Sequence, residues 1–332
     1  MSAAPPARAL LDALDEPALI VAAGRIEAAN RAALAMLGPG IVGRDHRIGL
    51  RHPQLLATIA AGKRADVAIV GVGGPERPWL VAVRPLGQRG GCLIRFIDRA
   101  EALAAERMRV DFVANASHEL RTPLATISGY AETLAEPEIP DQLRRNFATT
   151  IAGEAARMLR IIEDLMSLSR IEASRFVAPG DRCNLVSLAR QAEAQVGPLA
   201  ERRNCPVETD LPAEPVTVAA DCGQMLQVID NLLSNAIRYG GSGVRLTVAT
   251  ERGRPFVRVS DSGPGIAPLH LPRLTERFYR IDDARSRGSG GTGLGLAIVK
   301  HIVERHRGTL DIRSRPGEGT SVTVALPAAD LS

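Results

Sequence analysis

The sequence predicts a multidomain α+β protein in which a small α+β domain, a helical hairpin and an α/β domain follow one another. Its 332 residues are too many for one typical hydrophobic core. The hydrophobic pattern changes twice, first to a long helical period and then to helices that alternate with strands. The predicted domains cover residues 10–98, 99–178 and 180–328.

The composition is that of an ordinary globular protein, with 45% apolar and 23% charged residues. The net charge of +4 comes from arginines dispersed among acids, and aromatic residues make up only 3%. This pattern favours a solvated surface over nucleic-acid binding. Residues 18–23 form an unbroken apolar run that no other run exceeds, which is too short to span a bilayer, and the start lacks a signal peptide. We therefore expect no nucleic-acid partner and no membrane span in this chain.

The four cysteines are far apart and form no Cys-x-x-Cys pair. They are Cys92, Cys183, Cys205 and Cys222. This spacing predicts reduced thiols of a cytosolic protein rather than a disulfide framework or a zinc site.

The N-terminal region combines short helical signals with alternating runs such as residues 79–83 and 92–97, which predict strands. Residues 18–34 resemble the opening of a PAS domain, two strands that run into a helix near Asn30. A small dimerising α+β spacer is the alternative. His46 and His52 show no haem or flavin context.

Residues 99–175 contain few breakers, and their apolar positions repeat at helical spacing. The first helix carries an apolar seam at Val113, Leu120, Leu124, Ile127, Ala131 and Leu134. A second amphipathic helix starts at Asp141, which is expected to cap it, after a proline-containing loop. Two helices cannot bury both stripes, so the pattern predicts a homodimer with a four-helix bundle.

Beyond residue 180, helices near 184–203, 221–239 and 293–306 alternate with strands, and glycine-rich loops cluster between 261 and 319. The predicted strands are 215–220, 244–250, 255–260, 308–313 and 320–326. This order predicts helices layered on one sheet.

The helix at 221–239 has a second, polar face made of Asn231, Asn235, Arg238 and Tyr239 at i, i+3 and i, i+4 spacing. An amide oxygen is a suitable hard ligand for Mg²⁺. Arg238 can contact a phosphate, and Tyr239 can pack on a base. Taken alone, this face is equally compatible with a solvated surface.

Two loops add chemistry to that face. Asp261 follows a strand and can accept a hydrogen bond from an exocyclic amine, while Gly263 and Gly265 permit close backbone approach. A glycine-rich segment then opens directly into a helix, where backbone N–H groups can cradle phosphate. The cradle residues are Gly291, Thr292, Gly293, Leu294 and Gly295. The spacing fits neither a P-loop nor a Rossmann fingerprint, and a flexible hinge is the alternative.

His118 lies on the first hairpin helix, off the apolar seam. An exposed helical histidine is usually a solvated bystander. Here Glu119 can orient the ring and take its proton, and Thr122, one turn away, can position a water molecule. Pro123 breaks the helical hydrogen-bond pattern and favours a kink that gives access to the ring.

The ordered motifs Asn-x-x-x-Asn, Asp-x-Gly-x-Gly, Gly-x-Gly-Leu-Gly and Gly-Thr resemble the ATPase family of gyrase, Hsp90, MutL and histidine kinases. Residues 275–280, Thr-Glu-Arg-Phe-Tyr-Arg, resemble the kinase F box. The run His-Glu-Leu-Arg-Thr-Pro at 118–123 resembles the H box of HisKA-type sensor histidine kinases, and the chain is similar to PhoR-type phosphate-regulon sensors.

The resemblance implies a role for each matching position. Asn235 would be the Mg²⁺ ligand, Asn231 would lie near the phosphates, Asp261 would bind adenine and Thr320 would support that contact through water. An ATP lid would lie between residues 278 and 291. Two arginines of this lid, Arg285 and Arg287, would be available to the phosphates. Thr275 and Arg238 depart from the common Phe and Lys, and arginine keeps the phosphate-binding charge.

These expectations combine into an ATP-dependent kinase that phosphorylates its own His118 and passes the group to an aspartate of a response-regulator receiver domain. Thr122 would add phosphatase activity. The alternatives are a degenerate kinase that acts as a scaffold and a gyrase- or Hsp90-like ATP clamp. The expected location is the cytoplasm, for the chain itself or as the soluble part of a membrane-bound kinase. A helix from Arg99, capped by Asp98, would couple the first domain to His118.

Overall fold

The computed structural model describes residues 5–74, 76–87, 91–136, 138–174, 177, 179–241, 243–281 and 291–328. The chain divides into two compact units, Met1–Asp111 and Phe112–Ser332. Each is described by itself. Among the described residues, no helix combines the length and the apolar character needed to cross a bilayer.

The first unit is built on a five-stranded antiparallel sheet with the strand order β2-β1-β5-β4-β3. Its strands are β1 (Ala18–Ala22), β2 (Arg25–Ala29), β3 (Ala65–Val70), β4 (Pro78–Pro85) and β5 (Gly91–Asp98). Its helices are α1 (Pro5–Asp12), α2 (Arg31–Leu37), α3 (His46–Gly49) and α4 (Pro53–Ala61). Alternate residues of β5 are buried, as the alternating sequence predicts.

Asn30 is the polar centre of this unit and is only 1% exposed. Its Oδ1 accepts from the backbone N–H of Ala33, at 2.9 Å, and from that of Ala18, at 3.0 Å. Its amide nitrogen donates to three backbone carbonyls between residues 11 and 16. A buried side-chain amide whose two ends are both satisfied stabilises the join between strand and helix.

The first hairpin helix, α5 (Ala100–Leu134), begins directly after β5. Asp98 accepts a hydrogen bond from the N–H of Ala100 at 2.8 Å, so the predicted cap is present. This backbone hydrogen bond, helped by Arg77, lowers the pKa of Asp98. The carboxylate therefore remains ionised and stabilises the helix start.

The second hairpin helix is α6 (Asp141–Ala173). Its N-cap residue is Pro140, not Asp141, and no side chain in the described part of the chain caps it. Asp141 instead lies in the first turn, where its charge still favours the positive end of the helix. Helix α5 continues through Pro123, which is buried, so the predicted break does not end the helix.

Both hairpin helices keep large apolar side chains exposed. Val113 is 58%, Leu124 52%, Leu159 61% and Met166 55% exposed. Val113 and Leu124 belong to the predicted seam, whose other large residues, Leu120, Ile127 and Leu134, are half-buried.

The rest of the second unit is an α/β layer structure. Its helices are α7 (Leu185–Arg203), α8 (Cys222–Asn235) and α9 (Gly295–Arg305). Its strands are β6 (Arg182–Asn184), β7 (Val207–Asp210), β8 (Thr217–Ala219), β9 (Val244–Glu251), β10 (Arg254–Asp261), β11 (Thr309–Arg315) and β12 (Gly319–Ala325). One core joins the apolar faces of the helices to the sheet β11-β12-β10-β9-β7. The predicted α+β class is confirmed.

Two short strands, β6 and β7, add to the predicted set. β7 pairs with β9 in parallel, and β6 pairs with β8 as a separate two-stranded ribbon. Three or four residues carry too little periodicity to predict a strand.

The expectation of four reduced cysteines is wrong for one pair. Cys183 on β6 and Cys222 at the start of α8 form a disulfide, with Cα atoms 5.5 Å apart. Pairing of β6 with β8 places Cys183 opposite Val218, close to the helix start. Cys92 and Cys205 are buried free thiols.

Asp230 on α8 gives this unit a predicted pH dependence. Burial raises its pKa to about 6, although the Gln195 amide, oriented with its nitrogen towards Asp230, donates at 2.7 Å. The folded state therefore binds the proton more tightly, and stability falls as the pH rises from about 4 to about 6. We expect Asp230→Asn to raise the free energy of unfolding by about 1 kcal/mol near neutral pH and by almost nothing near pH 4.

Urea unfolding at the two pH values measures this difference, with the exposed Asp210→Asn as the matched control. An equal change at both pH values would contradict the assignment to Asp230.

Candidate nucleotide and phosphoacceptor sites

Helix α8 is fixed at its N-terminus by polar contacts. Asp221 is the N-cap and accepts from the N–H of Gln224 at 3.1 Å. Nε2 of His306 accepts from the N–H of Asp221 at 3.0 Å, while its Nδ1 donates to the carbonyl of Ile302 at 2.7 Å. Burial lowers the pKa of His306, which agrees with a neutral ring that both donates and accepts. These contacts hold the helix that carries both asparagines.

Asn231 and Asn235 face the start of α9. The amide nitrogen of Asn231 donates to the carbonyl of Gly295 at 3.4 Å. A Cβ atom at Gly295 would stand 3.6 Å from Oδ1 of Asn231 and 3.8 Å from Nδ2 of Asn235. Two amide groups thus meet the N-terminus of a helix, which attracts phosphate. The donor set fits Mg²⁺ shared with phosphate oxygens, because amide oxygens are hard ligands.

Asp261 ends β10 and lies opposite Thr320 of β12. Its Oδ1 accepts from the N–H of Gly263 at 2.9 Å, and the backbone of Thr320 also donates to it. Burial raises the pKa of Asp261, and these two hydrogen bonds oppose the rise. The Thr320 hydroxyl lies 2.8 Å from that of Ser314. The carboxylate is therefore held by backbone on two sides.

The glycines around Asp261 allow backbone segments to touch. Gly265 has φ +66°, and a Cβ there would overlap the carbonyl of Arg315. Gly319 has φ +93°, and a Cβ there would overlap the carbonyl of Asp261. Gly263 likewise packs against Gly240. These glycines therefore allow close contacts between backbone segments of the chain itself.

The predicted phosphate cradle begins at a contact with the hairpin. The Thr292 hydroxyl donates to Asp164 of α6 at 2.7 Å and accepts from the N–H of Leu294 at 3.3 Å. Burial raises the pKa of Asp164, opposed by the hydrogen bond from Thr292. The Gly293 carbonyl accepts from the N–H of Phe278 at 2.9 Å.

The remaining predicted nucleotide residues lie along the same edge. The Tyr239 hydroxyl lies against Gly291. Arg238 is half-buried, and burial, followed by the nearby charge of Arg160, lowers its pKa. Arg285 and Arg287 lie outside the described residues.

His118 is exposed on α5 and lines a cleft of about 480 Å³. Its neighbour Glu119 accepts from Nη2 of Arg157, on α6, at 2.9 Å. Thr122 donates to the backbone carbonyl of His118 at 3.3 Å. The three predicted catalytic residues therefore share one cleft with a buried arginine that the sequence did not single out.

The opposite wall of the cleft is the segment 273–280. Arg277 forms an ion pair with Glu172 of α6 and lies over the ring of Phe112, 5.1 Å from its centroid. The Phe112 and Phe278 rings are 6.0 Å apart. The F-box segment thus packs on both hairpin helices.

The sequence missed one residue that joins the two hairpin helices and two that join the hairpin to the rest of the unit. Arg157, Asp164 and Glu172 lie on α6 among many other charged residues. Arg157 is 8% exposed although it lies next to the apolar stripe, and a buried charge at such a position has no local signature.

Comparison with known proteins agrees with this geometry. The chain matches family models for a PAS domain over residues 8–68, a His Kinase A (phospho-acceptor) domain over 108–174, and a histidine kinase-, DNA gyrase B- and HSP90-like ATPase over 220–330.

Curated relatives include a sensor-like histidine kinase, SenX3, of Mycolicibacterium smegmatis, 38% identical over 69% of this chain and 60% of the relative. The phosphate regulon sensor protein PhoR of Pseudomonas aeruginosa is 40% identical over 72% of this chain and 54% of the relative. The chain thus spans little more than half the length of these relatives.

Among solved structures, the Acinetobacter baumannii histidine kinase AdeS is similar in fold, with a TM-score of 0.50 and 23% identity. The match covers 64% of this chain and 98% of AdeS. With its phosphoacceptor and ATPase domains both matched, the chain belongs to the HisKA-type sensor histidine kinases.

Proposed function

We propose that this chain is an ATP-dependent kinase that moves the γ-phosphoryl group of ATP to His118 and then to an aspartate of a response-regulator receiver domain. The observation that carries the proposal is that one compact unit holds both the Asn231–Asp261–Gly295 site and an exposed His118 in a polar cleft. The domain division 10–98, 99–178 and 180–328 belongs to the same proposal.

The nucleotide would bind across the edge formed by α8, β10 and the start of α9. Asp261 accepts from the adenine amine, and Thr320 supports it from the paired strand. Asn231 and Asn235 lie where phosphates meet the first turn of α9. A Mg²⁺ ion bound at Asn235 would supply neutralisation of the phosphate charge.

The phosphoacceptor chemistry requires a neutral imidazole nitrogen. Arg157 binds Oε2 of Glu119, and Oε1 is the atom that we assign to the ring proton. Thr122 lies one turn from His118, where its hydroxyl can orient water for dephosphorylation once it leaves the backbone carbonyl.

The hairpin would form a homodimer. Val113, Leu124, Leu159 and Met166 are all more than half exposed, and a second copy would cover them in a four-helix bundle. We place the chain in the cytoplasm because ATP and receiver domains occur there. The 40% identity to a phosphate regulon sensor supports a role in phosphate signalling, which phosphotransfer to candidate regulators would test.

Incubation of the full chain with γ-³²P-ATP and Mg²⁺ tests the kinase proposal. We expect a protein-bound label that is acid-labile and base-stable, as a phosphohistidine is, and that disappears when EDTA removes Mg²⁺. A chain that binds ATP yet takes up no label would instead be a degenerate kinase that acts as a scaffold.

A further inference from the structure

The cleft at His118 has two walls, one from the helical hairpin and one from the segment 273–280. His118, Glu119 and Arg157 line it from the hairpin, and the segment 273–280 lines it from the opposite side. Four arginines and two glutamates line it, so the cleft is rich in positive charge.

Three of the four guanidinium groups have a carboxylate partner. The pairs are Arg157 with Glu119 at 2.9 Å, Arg273 with Glu276 at 3.2 Å, and Arg277 with Glu172. Arg280 differs, because its Nε and Nη2 are shielded from water and have no hydrogen-bond acceptor among the described residues. Nε of Arg157, on the other wall, is likewise buried and finds no acceptor in the described ranges of the chain.

A guanidinium group that has lost water without gaining an acceptor is unfavourable, and an oxyanion relieves it by accepting in the plane of the fork. The planar fork matches phosphate oxygens in particular. A phosphoryl group attached to His118 would lie in this same cleft and would carry about two negative charges.

We propose that Arg280 binds the phosphoryl group of phosphorylated His118 and shields it from water. The inference rests on the proposed kinase function and deepens it, since it gives the F-box segment a role after phosphoryl transfer. The reaction that Arg280 would slow is hydrolysis of the phosphohistidine. Water attacks phosphorus, the P–N bond breaks, inorganic phosphate leaves and a proton returns to the ring.

The test bypasses the nucleotide site. Phosphoramidate phosphorylates histidine directly: the imidazole nitrogen displaces ammonia from phosphorus, and ammonia leaves with the ring proton. After removal of the reagent, the decay of phosphohistidine in the full chain is followed by ³¹P NMR. We expect Arg280→Gln to lose the group at least about threefold faster than the wild type, with Arg280→Lys between them.

The matched control is Arg273→Gln, which removes an arginine of the same cleft. Arg273 is more than half exposed, bonds Glu276 and lies over the Tyr279 ring, 4.2 Å from its centroid. Its variant should decay within about twofold of the wild type, because its charge is already paired. A second readout is the ³¹P titration, since loss of a neighbouring cation raises the pKa of the phosphoryl group in Arg280→Gln.

Each outcome separates the two proposals. Decay of Arg280→Gln at the wild-type rate, with reduced labelling by ATP, would show that Arg280 serves the nucleotide and would overturn the inference. A wild type that phosphoramidate does not label would also overturn it, because the cleft would then exclude small phosphoryl compounds. Labelling by phosphoramidate but never by ATP refutes the kinase proposal and leaves the decay comparison valid.

Discussion

His118→Gln should lose all phosphohistidine label from γ-³²P-ATP while it keeps wild-type nucleotide affinity. The side chain is exposed on α5, so glutamine can replace it without a cavity or a buried unpaired group. The proposed nucleotide site lies on α8, β10 and α9, none of which includes residue 118. Thermal melting should therefore show an unchanged transition, and a fluorescent nucleotide should titrate as it does in the wild type.

The control for this variant is His52→Gln in the first unit, at the N-cap position of α4. It should leave labelling at the wild-type level. More than a few per cent of residual acid-labile label in His118→Gln would mean that another histidine is phosphorylated.

Asp261→Asn should weaken ATP binding by roughly 100-fold or more. Asparagine has nearly the same shape, but its NH₂ group cannot accept from the Gly263 N–H, the Thr320 N–H or an adenine amine. Loss of a hydrogen bond to a charged acceptor costs about 1.5–3 kcal/mol, and the upper value alone corresponds to about 100-fold. The loss of the two backbone contacts, which orient the side chain, adds to it. Isothermal titration calorimetry with ATP measures it directly.

Lowering the pH should weaken ATP binding in the same way as Asp261→Asn. Burial raises the pKa of Asp261, so its carboxylate is protonated at a higher pH than an ordinary aspartate. ATP affinity of the wild type should then fall as the pH falls through this raised pKa, and that of Asp261→Asn should not follow it. Asp311→Asn on β11 is the matched control, since that carboxylate is half-exposed and bonds only Arg313 at 2.7 Å among the described residues. A loss of less than about threefold in Asp261→Asn would contradict an adenine contact.

The sequence predicted the elements that carry local periodicity. Helix α8 was recognisable because its apolar face fixed the position of Asn231 and Asn235 on the other side. The Asp261 loop was recognisable because a buried strand ended in an acid followed by glycines. Each of these signals is contained within a short stretch of the chain.

Contacts between distant residues left no such signal. Arg157 and Glu119 are 38 positions apart, and Asp164 and Thr292 are 128 apart. The first contact depends on how the two hairpin helices pack together, and the second on how α6 packs against the loop before α9, which no window of sequence records. The prediction of reduced thiols failed at Cys183 and Cys222 for the same reason, because strand pairing rather than sequence spacing brings these two cysteines together.

The hydrogen bond between Thr292 and Asp164 connects the predicted phosphate-binding loop to helix α6. On the proposed function, the same loop serves either the phosphates of ATP or helix α6. When two contacts of one loop exclude each other, each weakens the other by the same factor. A signal that shifts α6 would therefore change the affinity for ATP. Bound ATP would in turn change how readily α6 moves in response to that signal.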